Sequence, residues 1–275
     1  MKMAKKTAFE LFACLLAVIV SIPLYLIMIN AFKSHKQIVT APLALPDFSV
    51  GFDNIVRAFE KMNTLKAYGV TFSIAGIALI FAISLSAMAA YAVARIRHPI
   101  FNTLYWVYAA AILIPVQSVL IPIVFLLKSL SLQNTMMGIT LVYVAVLSPF
   151  CIFMFSGFMR SLPFDLEESA YIDGSSPART FFRVIFPLVQ PVTASLFILQ
   201  FIYVWNDLQL PLVIVNAKDY PTISISLYKF FAGRGMADLS LLFGGITITL
   251  LPILVLFLSF QRFFVKGLSA GAVKG

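Results

Sequence analysis

Long apolar stretches alternate with short polar ones along the whole chain. A helix needs about 20 residues to cross the hydrocarbon of a bilayer, and six stretches reach that length. They run from about Leu11 to Phe32, within Ala67–Ala94, within Pro99–Leu127, within Met136–Met159, from about Leu188 to Val215, and over about Leu239–Gln261. Leu, Ile, Ala and Phe fill them without strand-like alternation, which predicts a bundle of helices and not a barrel. The fold class read from the pattern is all-α and integral to the membrane, with six transmembrane helices. Prolines stand inside several stretches, at Pro23, Pro115, Pro122, Pro149 and Pro252; each frees a carbonyl and permits a kink.

The polar segments differ in kind. Ser34–Lys66 carries helix breakers at Pro42, Pro46 and Gly51, then a short amphipathic helix over Asp53–Met62. Lys128–Thr135 is a short turn, and Asn216–Asp238 is a polar loop with Pro221, Gly233 and Gly235. Arg160–Pro191 is the most charged segment and reads as two short helices. Pro163 can open the first, with Asp165, Glu167 and Glu168 at its dipole-favoured end. Gly174 can close it in a left-handed cap. Ser176-Pro177 reads as the cap and first residue of the second.

Composition agrees with a membrane protein. Of 275 residues, 61% are hydrophobic and 11% charged, against about 25% charged in a soluble domain. The net charge is +9, but the basic residues are scattered, so nucleic-acid binding is excluded as a reading. Lys2, Lys5 and Lys6 precede an apolar run too long for a signal peptide, which predicts a retained first span. With the N-terminus inside, eleven Lys and Arg fall on the inner side and nine on the outer. Arg95 and Arg97, in the short loop between the second and third spans, give the firmer signal. Both termini are expected to be cytoplasmic. Cys14 and Cys151 lie in apolar runs and read as small apolar fillers.

No catalytic or metal-binding set assembles from the sequence. His35 and His98 fall in loops at opposite expected faces, and no phosphate-binding loop of the GxxxxGK[ST] type occurs. If the protein does work against a gradient, the energy must then come from a partner or an ion. Asp207 is the one clear ionisable residue inside a span. Gln200, Tyr203 and Asp207 share a helical stripe at i, i+3 and i+7, flanked by Asn206, and Pro211 cannot donate to the Asp207 carbonyl. Two readings stand: the stripe lines a path for a polar solute, or it hydrogen-bonds to neighbouring helices. Gly244-Gly245 with Thr247 and Thr249 gives the sixth span a small face that suits close helix packing.

The segment Glu168-Ser169-Ala170, three residues, Gly174, nine residues and Val184-Ile185-Phe186-Pro187 resembles the EAA loop of ABC importer permeases. There the pattern is EAA, three residues, G, nine residues and I-x-L-P. Ser169 and Phe186 depart from it, and Val184 is a mild change. Further likenesses are Asn30-Ala31-Phe32-Lys33, Ala89 to Arg95, Ile114-Pro115-Val116-Gln117, Trp205-Asn206-Asp207 and Gln261 to Val265 with Gly271 to Gly275. Over essentially its whole length the chain is similar to the smaller permease subunit of maltose-type, carbohydrate-uptake importers.

The resemblance implies a type I ABC importer permease fold in the plasma or inner membrane. Residues 1–65 would hold the first span and outer loop, 66–264 the permease core with the EAA coupling loop 160–191, and 265–275 a cytoplasmic tail. It implies a second homologous permease, two cytoplasmic ATPase subunits and an extracellular solute-binding protein that delivers a sugar. ATP and Mg would sit on the ATPases, and this chain would bind no cofactor. Phe164, Glu168 and Tyr171, at i, i+4 and i+7, would form the docking face with Ser169 and Ala170. Gly174 would set the turn and Pro187 close the motif. The tail Gly271, Ala272, Val273, Lys274 and Gly275 would reach toward the ATPases. Alternatives are a solute such as glycerol phosphate or an ion-coupled secondary carrier.

Overall fold

Charge-poor runs fold as helices, and the breaks between them fall at proline, glycine or a capping side chain. The computed structural model describes residues 2–47, 49–231 and 238–272, with the side chains of 2–5, 8 and 260–272 excepted. No strand occurs among the described residues. The helices are α1 (Lys2–Asn30), α2 (His35–Thr40), α3 (Asp53–Lys61), α4 (Thr64–Arg95), α5 (Pro99–Ala111), α6 (Val116–Ser129) and α7 (Met136–Ser161). After them come α8 (Asp165–Ile172), α9 (Pro177–Thr180), a π-helical turn Phe181–Ile185, α10 (Phe186–Leu188), α11 (Gln190–Asn206), α12 (Gln209–Ile214), α13 (Ile223–Tyr228) and α14 (Leu239–Ala272).

Four helices are long and apolar enough to cross a membrane unaided: Phe9–Asn30 of α1, α4, α7 and Leu239–Ser259 of α14. Two of the six expected spans are broken. The stretch within Pro99–Leu127 divides into α5 and α6, bent by 106°. Pro115 stands at the break, itself extended with φ −66° and ψ 131°, and it disfavours helical backbone at Ile114 before it. The helices Pro177–Leu188 and Gln190–Asn206 meet at 71°. The expected fifth span, Leu188 to Val215, also stops at Asn206. Asp207 turns to extended backbone with ψ 122° before α12 begins. Spans therefore number four, or up to six if each bent pair crosses once. The expected tail from 265 continues α14 as helix to Ala272; Val273, Lys274 and Gly275 lie outside the described residues.

Contacts divide the chain into two compact units. One holds Met1–Leu65 with Ser226–Pro252; the other holds Lys66–Ile225 with Ile253–Gly275. In the first, Ser34 and Gln37 form a reciprocal capping box at the start of α2. Lys33, counted in the sequence among outer-loop charges, is buried there. Its ammonium donates to the Ala41 and Pro42 carbonyls, both at 3.0 Å, and burial lowers its pKa. Asn54 of α3 donates to the Ala31 and Lys33 carbonyls at 3.0 and 2.8 Å. Gly244 of α14 lies against this turn: a Cβ there would meet the Asn54 carbonyl oxygen at 2.6 Å. Close packing, not solute contact, is what the Gly244-Gly245 pair serves.

In the second unit, α7 packs against α5, α6, α11 and α12. An aromatic cluster joins α4 to α11: Trp205 lies 5.7 Å from Tyr68 and 5.1 Å from Phe72, centroid to centroid. Trp205 is fully buried, so this contact fixes α11 one residue before its polar end.

Candidate functional site

Two groups of polar side chains sit on the second unit, one at each end of its helices. The first surrounds α8. This helix ends in a Schellman motif, with Ser175 N–H donating to Ala170 O at 2.9 Å and Gly174 N–H to Tyr171 O at 3.0 Å. Gly174 has φ +77°, where a side chain would be strained. Ser176 caps α9, its hydroxyl accepting from Arg179 N–H, and Pro177 follows at the first helical position. The glycine and Ser-Pro signals in the sequence thus carry the geometry that they predict.

What fixes α8 in place was not legible as a site in the sequence. Glu167 is 1% exposed and bonded at 2.5 Å to Arg95 Nε at the end of α4. The Tyr91 hydroxyl donates to its other oxygen at 2.8 Å, and Arg95 also donates to the Leu162 carbonyl at 3.3 Å. Phe164 lies beside the same arginine, its ring centroid 6.0 Å from the guanidinium carbon. The Tyr171 hydroxyl comes within 3.4 Å of Tyr91's. Phe164, Glu167 and Tyr171, at i, i+3 and i+7, thus form the side of α8 turned toward α4. Glu168 and Ser169 are exposed, Ala170 is half-buried, and Leu166 and Ile172 are exposed apolar neighbours. The expected stripe of Phe164, Glu168 and Tyr171 is therefore split. Its two aromatics lean toward α4 while staying about half exposed, and Glu168 faces away. Spacing held the clue, since Glu167 is three residues from one aromatic and four from the other. Arg95 stood out as an orientation charge and as the end of a family likeness, not as a partner of Glu167.

Behind α8 the chain passes through the π turn to Pro187, the second residue of α10. Phe181, in that turn, is buried against Tyr91 at 5.2 Å. Both arms of the helix-turn-helix therefore meet the same stretch of α4.

The second group lies about 15 to 25 Å further along α11, taking 1.5 Å per residue from Gln190. There a pocket of about 380 Å³ opens at the α5–α6 bend, with Gln117, Gln200 and Tyr203 among its lining and Ile112, Leu147 and Phe150 in its walls. No Lys, Arg, Asp or Glu lines it. Gln200 is mostly buried, its amide 3.8 Å from the Cys151 sulfur; Tyr203 is 40% exposed. Gln117 donates to Gln209 at 2.6 Å, linking the pocket to the start of α12.

Asp207 is outside this lining. It follows the last residue of α11, and its carboxylate accepts from Tyr143 OH at 2.8 Å and, at the start of α12, from Gln209 N–H at 2.9 Å. Tyr143 is 1% exposed. The Asp207 carbonyl, which Pro211 cannot reach with a hydrogen bond, accepts from Ser224 Oγ at 2.7 Å. Asn206 donates back to Ile202 O. Of the expected stripe, Gln200 and Tyr203 reach the pocket, whereas Asn206 and Asp207 serve the helix end. Gln117, not singled out in the sequence as a pathway residue, joins the first two. Among the described residues no group of three or more His, Cys, Asp or Glu side chains comes together.

The chain matches the family model described as binding-protein-dependent transport system inner membrane component over residues 82–270. It is 32% identical, over 92% of its length and 91% of the relative's, to the probable starch degradation products transport system permease protein AmyC of Thermoanaerobacterium thermosulfurigenes. It is 33% identical to the diacetylchitobiose uptake system permease protein NgcG of Streptomyces coelicolor, over 94% of this chain and 85% of that one. Identity to the melibiose/raffinose/stachyose import permease protein MelC of Bacillus subtilis is 28% over both full lengths. In fold it resembles a chain from the crystal structure of a bacterial ABC transporter involved in the import of the acidic polysaccharide alginate. The TM-score is 0.78 at 18% identity, covering 95% of this chain and 98% of that one.

Proposed function

The chain belongs to the family of binding-protein-dependent transport system inner membrane components, and from that premise we propose that it is the permease subunit of an ATP-binding-cassette importer for a sugar or oligosaccharide. It is a multi-pass protein of the cell membrane. A second homologous permease completes the pathway, an extracellular solute-binding protein delivers the solute, and two cytoplasmic ATPases with ATP and Mg drive the cycle. Each bent pair counts as one crossing in this reading, giving six spans with both termini inside. The clustering of Arg95, Arg97 and Arg160 at the α8 end supports that orientation.

In this reading α8 is the surface on which an ATPase pushes. Glu168, Ser169 and Ala170 form the docking patch, with the exposed parts of Phe164 and Tyr171 at its edge, Gly174 as the joint and Pro187 closing the second arm. The observation that carries it is the buried Arg95–Glu167 pair. A force on α8 passes through that pair and Tyr91 directly into a spanning helix. Breaking such a pair is costly, about 3–5 kcal/mol, so the joint is stiff where a lever must be. The tail Gly271–Gly275 is assigned to the ATPase interface on resemblance alone.

The solute path is assigned to the pocket with Gln117, Gln200 and Tyr203. Uncharged amides and a phenol suit hydroxyl-rich solutes. A phosphorylated solute such as glycerol phosphate favours cationic partners, and the pocket has none. Relatives named for starch degradation products, diacetylchitobiose and melibiose, raffinose and stachyose point the same way. An ion-coupled carrier is disfavoured because Asp207 is occupied in holding a helix end. The test is uptake into vesicles holding the assembled complex, with a panel of labelled oligosaccharides and glycerol 3-phosphate. Binding-protein-dependent oligosaccharide uptake that requires internal ATP is expected. Uptake driven by an ion gradient without ATP would overturn the reading.

A further inference from the structure

A third polar site lies at the α8 end of the second unit, and neither docking nor solute passage uses it. A pocket of about 440 Å³ opens at the α4–α5 turn, with Arg97, His98, Asn102 and Arg160 around it and Val93 and Pro99 in its wall. No acid lines it. Neither Arg97 nor Arg160 forms an ion pair among the described residues. Arg160 is held in place by the Tyr105 ring, 4.3 Å from its guanidinium carbon, a contact that leaves its five N–H donors available. His98 Nδ1 accepts from Ile100 N–H at 3.3 Å, so its other nitrogen is the one left to donate.

The first turn of α5 is thus already capped, and an anion here would be held by side chains. The surface beyond the pocket says which anion. Ile100, Leu104 and Val107 form a fully apolar stripe along α5 at i, i+4 and i+7, each at least 38% exposed, and Trp106 is 63% exposed beside it. Two arginines at the foot of an exposed apolar helix match a phosphate head with acyl chains running alongside.

We propose that this pocket binds the phosphate of an anionic phospholipid, whose chains lie along α5 past Trp106. Trp106 is the natural reporter, since the chain has two tryptophans and Trp205 is buried. The full chain is reconstituted in phosphatidylcholine vesicles carrying, as a minor component, either brominated phosphatidylglycerol or brominated phosphatidylcholine. Quenching of the Trp106 signal is read against a Trp106→Phe background.

The expected result is that the brominated anionic lipid is enriched at Trp106 at least about tenfold over the zwitterionic one, roughly the effect of one to two basic side chains beside an anionic surface. Arg97→Gln, and separately Arg160→Gln, should remove most of that preference, while Arg183→Gln, an exposed arginine outside the pocket, should keep it. Equal quenching by both lipids overturns the proposal. So does equal loss in all three arginine variants, which would mean general surface charge. Abolition of the preference by dissolved inorganic phosphate, but not by chloride at matched ionic strength, also overturns it, in favour of a free phosphate site.

Discussion

The two ends of the second unit treat polar groups in opposite ways. Around α8, opposite charges are paired and buried, and Glu167 and Arg95 hold a short surface helix to a long spanning one. At the far end of α11 the acid Asp207 is held by neutral donors, and the polar part of the nearby pocket's lining is amides and a phenol. The two acids held by partners, Glu167 and Asp207, each tie one helix to another. The polar groups lining the pocket, Gln117, Gln200 and Tyr203, are uncharged.

The largest effect should come from breaking the charged end. Glu167→Ala leaves Arg95 buried without a partner, a loss of about 3–5 kcal/mol, and should lower the melting temperature of the purified protein by about 5 °C or more. Replacing both Arg95 and Glu167 with Met should recover much of that loss, because an apolar pair replaces a desolvated ionic one. Unchanged melting in Glu167→Ala would remove the contrast between the ends. A smaller effect is expected at the far end. Tyr143→Phe removes one hydrogen bond to a carboxylate, about 1.5–3 kcal/mol, and should lower stability with the KM for uptake unchanged. A changed KM with unchanged melting would move Asp207 from the helix end into the pathway. The smallest stability effect belongs to Gln200→Leu. It keeps the volume and loses a weak contact to sulfur, so melting should shift little, while the KM for sugar uptake should rise about tenfold, or 1.4 kcal/mol. Identical uptake kinetics would take Gln200 out of the path.

Much of this was legible in the sequence, and the misses share a physical cause. Local signals read correctly: Gly174, Ser176-Pro177, the helix from Asp53 and the turn ending at Thr135 depend on a few adjacent residues. Spans were readable from hydropathy, but the breaks at Pro115 and Asp207 were not. Proline marks where a helix can bend, and packing of the neighbouring helices decides whether it bends by a few degrees or by 106°. The carboxylate pair Glu167 and Glu168 shows the limit most clearly. Adjacent and chemically identical, they are separated by burial alone, and that depends on Arg95, 72 residues away. Gln117 and Tyr143 were missed for the same reason, as their partners lie on other helices.

Those adjacent acids also give the most direct test of the central claim, that α8 is a lever held on one side and pushed on the other. In the assembled complex, Glu168→Lys reverses the exposed charge without touching the buried pair. The permease should insert and melt like the parent, while the ATPase subunits are lost on purification and ATP-driven uptake falls at least about tenfold, equivalent to 1.4 kcal/mol of coupling. A complex that keeps its full complement of ATPases and imports sugar at the parent rate would contradict the account.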